Sequence, residues 1–196
     1  GATLDVVEEF RYLGVQFHCR RAFAGAATAR GVAGGRCVHS MRRRCAELGL
    51  QGARTQLRLF DTMVLPVLSY GVEIWGPQLI AAGCECAATR VHLSFLRHLL
   101  GVRQATPSLV VLAETAQRPL AARWAAQVGR FWNGVLAADE GSLGRRALAD
   151  SCALAAELVG APLARQPWAG QVAAALSSMG AAVSVQQPEP VSISDL

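Results

Sequence analysis

The spacing of apolar positions changes character along the chain. Residues 3–17 alternate weakly and are rich in Val, Phe, Tyr and Leu, with Gly14 inside the run; a period near two predicts two short strands or a hairpin. Residues 22–35 are small and Gly-rich, a composition that fits a frayed helix or a loop and does not choose between them. From Arg36 the period becomes helical: Val38, Met41, Cys45 and Leu48 fall three and four apart, so they share a face with Arg36, Arg42, Arg43 and Arg44 off it. Gly49 is expected to end that helix. The next starts near Ala53 with Leu57, Phe60, Val64 and Leu68 as its stripe; Pro66 should kink it, because the ring removes a donor and clashes with the preceding turn, and Gly71, Gly76 and Pro77 should close it.

Further along, residues 84–100 lay Ala88, Val91, Phe95 and Leu99 on one helical face and Arg90 and Arg97 on another, with Gly101 placed as a C-terminal cap. Thr106-Pro107 reads as the start of a short helix reaching Glu114. Pro119 opens the strongest helix, striped by Leu120, Trp124, Val128, Phe131 and Val135. Two Ala-rich helices are expected beyond it, one with Leu148, Cys152, Ala155 and Val159, the other from Pro167 with Trp168, Val172 and Met179. Residues 184–196, including Gln186-Gln187-Pro188-Glu189-Pro190, hold little apolar content and are expected to be disordered. The fold class is therefore mainly α: a short N-terminal β-hairpin, a helical bundle and Ala-rich C-terminal helices.

Charge sharpens this picture. The 196 residues carry a net +5, and all 19 basic residues are Arg, each a planar fork able to grip phosphate bidentately. Residues 11–60 hold ten Arg against Glu47 alone, a net +9, whereas residues 131–196 hold three Arg against six acids. A +9 segment of fifty residues points to a polyanionic partner such as nucleic acid, since counterion release from phosphates drives such binding. No apolar run approaches the ~18 residues that cross a bilayer, so no membrane partner is expected. Six cysteines lack the regular spacing of a secreted disulfide scaffold, which suggests a reducing intracellular setting, nuclear or cytoplasmic. The chain opens Gly1-Ala2-Thr3 without an initiator Met and is expected to be a piece of a longer protein.

Candidate chemistry is sparse. There is no Asp-Asp pair, and Asp5, Glu8 and Glu9 lack the strand-turn context of a two-metal site. Cys84, Cys86, His92 and His98 are zinc-ligand types, but Cys-x-Cys opens a helix and the two His are six apart, on opposite sides of it. These are expected to be buried or half-buried Cys and surface His. No nucleophile stands beside a base in a pattern better than chance. Neither a catalytic residue nor a cofactor is expected in this segment. The stronger signal is cationic: Arg20, Arg21, Arg36, Arg42, Arg43, Arg44, Arg90 and Arg97 are the candidates for contact with a nucleic-acid backbone. Trp75, Trp124 and Trp132 fall on core stripes and read as packing anchors.

Three phrases in fixed order carry a family resemblance: Phe10-Arg11-Tyr12-Leu13-Gly14, then Tyr70-Gly71-Val72-Glu73-Ile74-Trp75-Gly76, then Phe95-Leu96-Arg97-His98-Leu99-Leu100-Gly101-Val102, followed by Thr106-Pro107, Glu114 and Pro119-Leu120. Together, over residues 8 to about 136, they resemble the stretch downstream of the catalytic palm in a LINE-type (non-LTR) retrotransposon reverse transcriptase. The chain departs by having Arg20-Arg21-Ala22-Phe23 where a Trp often stands, and by lacking Lys. The resemblance implies an RNA-directed DNA polymerase whose full-length form uses Mg2+, an RNA template and a DNA primer. Phe10, Tyr12, Leu13 and Gly14 would then form a primer-grip-like hairpin. Residues 1–20 would end the palm, 21–136 would form a thumb-like region, 137–183 a helical appendage and 184–196 a tail. This segment would clamp the hybrid duplex beside the palm of the same polypeptide, without catalysing anything alone. The alternatives are a repurposed helical nucleic-acid-binding module and a helical protein-interaction domain with an acidic partner.

Overall fold

In the computed structural model, which describes residues 7–18 and 23–194, the chain is mainly α-helical behind a short antiparallel hairpin. It forms two compact units, one comprising the chain up to Tyr70 with Cys86–Val91, the other Gly71–Glu85 with His92 onward. The main division falls at Gly71, where φ is +71°.

In the first unit, β1 (Glu9–Tyr12) pairs with β2 (Val15–His18), Phe10 opposite Phe17 and Tyr12 opposite Val15. Helix α1 runs from Ala24 to Glu47, so most of the Gly-rich stretch is helix. Ala27, Gly31, Gly34, Val38, Met41 and Cys45, spaced alternately four and three, form its buried stripe, with Ala26 buried beside its first turn. A Cβ at Gly31 would run into Ala87 and one at Gly34 into Leu68. These glycines permit close packing, at about 1 kcal/mol each in helix propensity. Leu48 does not extend the stripe. It is the exposed C-cap, and the amides of Gly49 and Leu50 turn back to Ala46 and Cys45 to close the helix.

Helix α2 (Ala53–Leu59) passes through a π turn (Phe60–Val64) into α3 (Leu65–Leu68), burying Phe60, Val64 and Leu68 as the stripe predicts. The effect of Pro66 is a widening. Without an N–H it cannot bond the carbonyl four residues back, and the Leu65 amide reaches five back, to Phe60.

The second unit contains α4 (Val72–Ala81), most of α5 (Ala87–Leu100), α6 (Ser108–Glu114), α7 (Leu120–Ala137), α8 (Leu143–Glu157) and α9 (Trp168–Ser178). Helix α4 packs on α7 and α9, and α8 on α9, so residues 137–183 are integral to this unit. The Trp75 and Trp124 rings meet edge to face at 5.1 Å in its core, and Trp132 is fully buried. Gly76 and Pro77 lie inside α4 and do not close it. Pro77 has no N–H for the Glu73 carbonyl, and the Trp168 indole Nε1 donates to that carbonyl instead, at 2.8 Å. The Glu73 carboxylate accepts from Gln127 Nε2 at 2.7 Å.

Two stripes keep most of their expected positions, with Ala88 and Phe95 on α5 and Leu120, Trp124 and Val128 on α7 buried, and depart from the expectation at particular residues. In α7 the fully buried ring is Trp132, while Phe131 is 45% exposed. In α5 the buried position is His92 at 1% exposure, with Val91 half-buried, so His92 is not the surface histidine expected. Val159 lies past the end of α8 and is exposed. Residues 184–194 also differ from the expected disorder: Val191 is buried, and the segment is fastened to α7 by three hydrogen bonds. None of the described helices is long and apolar enough to cross a membrane.

Candidate nucleic-acid interface

The hairpin turn holds a non-glycine residue at positive φ. Tyr12 and Val15 are paired, leaving Leu13 and Gly14 as a two-residue connection with φ of +46° and +81°. Positive φ at both central residues is the type I′ pattern, which matches strand twist and favours Asn-Gly. Leucine at the first of these positions costs about 1–2 kcal/mol, because its Cβ crowds the following carbonyl. No packing offsets that cost, as the Leu13 side chain is 72% exposed.

The turn is held from outside the hairpin. The Tyr70 phenol donates to the Leu13 carbonyl at 2.6 Å, and the Arg30 guanidinium lies 5.3 Å from the Tyr70 ring centroid with its Nη2 3.4 Å from the Gly14 carbonyl. A Cβ on Gly14 would sit 3.3 Å from Tyr70 Cε1, so close approach of the ring adds to positive φ in demanding glycine there. The Leu13-Gly14 turn and Tyr70, more than fifty residues apart, meet at this contact. Phe10 and Tyr12 stack at 6.4 Å and are each 58% exposed, forming with Leu13 an apolar surface at the hairpin.

The arginines of α1 occupy a wide arc. At about 100° per residue, Arg36 and Arg43 stand opposite the buried stripe, while Arg42 and Arg44 flank it on either side; all four are exposed. Arg36 and Arg43 are two turns apart, roughly 10 Å along the axis. Glu47 engages part of the set: its carboxylate is 3.1 Å from Arg44 Nη1 and 3.8 Å from Arg43 Nε. Arg54 and Arg58 on α2 and Arg90 at the start of α5 add exposed guanidinium groups to the same unit. Arg42 and Arg44 point too far apart to meet one flat surface with both heads.

Arg97 is used differently from the expectation. Its Nε and Nη2 donate to the Thr106 carbonyl at 3.1 and 2.9 Å, and Nη2 also to Ser108 Oγ at 2.9 Å, tying α5 to the start of α6 in the second unit. A guanidinium committed to its own loop is a poor phosphate ligand, and Arg97 leaves the candidate set. Arg20 and Arg21 lie outside the described residues. No sequence pattern marks Arg30 or Tyr70 as part of a site. Tyr70 stood inside a quoted phrase, but its partner lies 57 positions away, and Arg30 sat in the stretch that the pattern left unassigned.

Burial raises the Cys37 thiol above its ordinary range, and its Sγ meets the Met63 carbonyl at 3.4 Å. Burial likewise raises Cys152, with Arg145 opposing it in part. Both are poor nucleophiles near neutrality. Among the described residues no three His, Cys, Asp or Glu side chains converge as metal ligands do. Family models, curated proteins and solved structures contain no match to this chain.

Proposed function

We propose that this chain is a helical, thumb-like fragment of a LINE-type RNA-directed DNA polymerase that holds a template–primer hybrid through the exposed arginines of α1 and α2 and the tip of the β1–β2 hairpin. The observation that carries the reading is the contact joining Tyr70 and Arg30 to the Leu13-Gly14 turn. It fixes a strained turn with an exposed apolar tip in the unit that carries the cationic helix. Strain held by surrounding structure is characteristic of functional positions. A stable turn alone would be better served by Asn at position 13.

The expected grip is blind to sequence. Guanidinium groups on phosphates set register and orientation, and an A-form hybrid is recognised by its shape. Arg36 and Arg43 face away from the core and are the principal contacts; Arg44 flanks them. The reaction itself belongs to the palm, and this fragment contributes binding and orientation only.

The test replaces Arg36 and Arg43 with Gln in the full chain and measures binding to RNA–DNA hybrids of unrelated sequence by fluorescence anisotropy. The expected result is a loss shared by every sequence, with the salt slope shallower by about two. Arg97→Gln is expected to lower thermal stability and leave that slope unchanged. Equal effects of the two changes on the slope, or no effect of the first, would refute the assignment. Tight, salt-insensitive capture of an acidic protein would favour the interaction-domain alternative.

A further inference from the structure

The terminal segment is attached to the second unit in an unusual way. Trp132 Nε1 donates to the Glu189 carbonyl at 3.0 Å, Asn133 Nδ2 donates to the Val191 carbonyl at 2.8 Å, and the Val191 amide donates to Asn133 Oδ1 at 2.8 Å. All three bonds are made by two neighbouring side chains of α7, and all three read main chain. The Asn133 amide takes both hydrogen-bonding groups of one residue, as a neighbouring strand does in a sheet. One side chain is taken inward: Val191 is 8% exposed, whereas Glu189, Pro190 and Ser192 are exposed.

This is the chemistry of a peptide site. Recognition through backbone bonds with a pocket for one branched aliphatic side chain is the way extended peptides are bound. Pro188 and Pro190 suit it, because each lacks an N–H that would need a partner and each presets an extended backbone, lowering the ordering cost. Residues 184–187 are largely exposed, and the Gln187 amide bonds within the segment to Ser184 Oγ at 3.2 Å.

We propose that the α7 surface at Trp132 and Asn133 is a docking site for an extended, proline-flanked peptide of the Pro-Glu-Pro-Val type, filled in this chain by its own residues 188–191. The strap is then a built-in competitor, and a partner bearing the same chemistry binds when the strap is displaced. Nothing in this proposal depends on the nucleic-acid reading.

The test uses the full chain and a fluorescently labelled peptide with the sequence of residues 184–194. Val191→Asp places a charge at the one buried anchor of the strap and should eject the strap while leaving α7 intact. That variant should bind the peptide, and the unaltered chain, whose strap competes at high effective concentration, should bind it at least about tenfold more weakly. Adding Asn133→Leu to the Val191→Asp chain removes two hydrogen bonds and should weaken binding about thirtyfold. A peptide carrying Asp at the Val191 position should not bind. Because every Trp lies in the second unit, Trp emission gives a second readout: it should shift red on Val191→Asp and return when peptide is added. Peptide binding no tighter than to the unaltered chain would overturn the proposal. Loss of helical circular dichroism in Val191→Asp would overturn it too, by showing the strap to be an inseparable part of the core.

Discussion

Replacing Trp168 with Phe removes the donor that serves the Glu73 carbonyl, and the cost should depend on Pro77. With proline at 77 the carbonyl has no intrahelical N–H to turn to. A part-buried acceptor left without a partner costs about 1–3 kcal/mol, and the lower half of that range applies because Glu73 is only half-buried. The smaller ring also loses contact with Phe131 and Trp132, whose centroids lie 5.7 and 5.9 Å away. Those losses occur whatever stands at 77. Pro77→Ala restores a backbone N–H four residues after Glu73, so in that background Trp168→Phe should be milder by about 1 kcal/mol. Urea unfolding of the four chains of this cycle, followed by Trp emission that reports the second unit alone, measures the difference. Additivity within about 0.3 kcal/mol would refute the argument that the indole substitutes for the amide that proline lacks.

Leu13→Asn should stabilise the hairpin turn by about 1 kcal/mol, since Asn tolerates positive φ, yet weaken hybrid binding if the exposed leucine meets the duplex; thermal melts and anisotropy on one protein preparation check both. Glu47→Gln releases Arg43 and Arg44 from an exposed pair and should raise hybrid affinity about two- to fivefold, with a stability change below about 0.5 kcal/mol. Cys152, with its thiol raised by burial, should resist iodoacetamide at pH 8 until the chain unfolds. Its contribution to stability is fully present below its ordinary value of 9.0 and is lost as the pH climbs through the higher folded value, which pH-dependent denaturation measures.

Local grammar made much of this fold legible. Alternation with Gly14 predicted the hairpin, three-and-four spacing predicted the Val38–Cys45 and Phe60–Leu68 faces, and Gly49 and Gly101 marked helix ends. What escaped was set by distant partners. The glycines of residues 24–35 leave helix and loop equally open until Ala87 and Leu68 are seen to need the space. Pro77 reads as a terminator because its cost falls on a carbonyl whose rescuer lies 95 positions away. The strap was unreadable for a similar reason: it has one apolar anchor, and its remaining attachments run through main chain, which leaves no hydrophobic pattern.

The candidate site was legible in part. Charge density identified α1 as cationic, but a count of Arg residues does not distinguish Arg36 and Arg43, which face outward, from Arg97, whose forked donors hold the Thr106–Ser108 loop. Tyr70 was visible only as part of a phrase. Its role follows from the 2.6 Å bond to Leu13, a contact that no spacing rule anticipates.

The central claim is that this chain grips a hybrid duplex by its phosphates. Its most direct test is the affinity of the full chain for an RNA–DNA hybrid measured across monovalent salt concentration. Neutralising three to five phosphates predicts a slope of log affinity against log salt of about −3 to −4.5, the same for unrelated sequences. A slope near zero, or no binding at low salt, would contradict it.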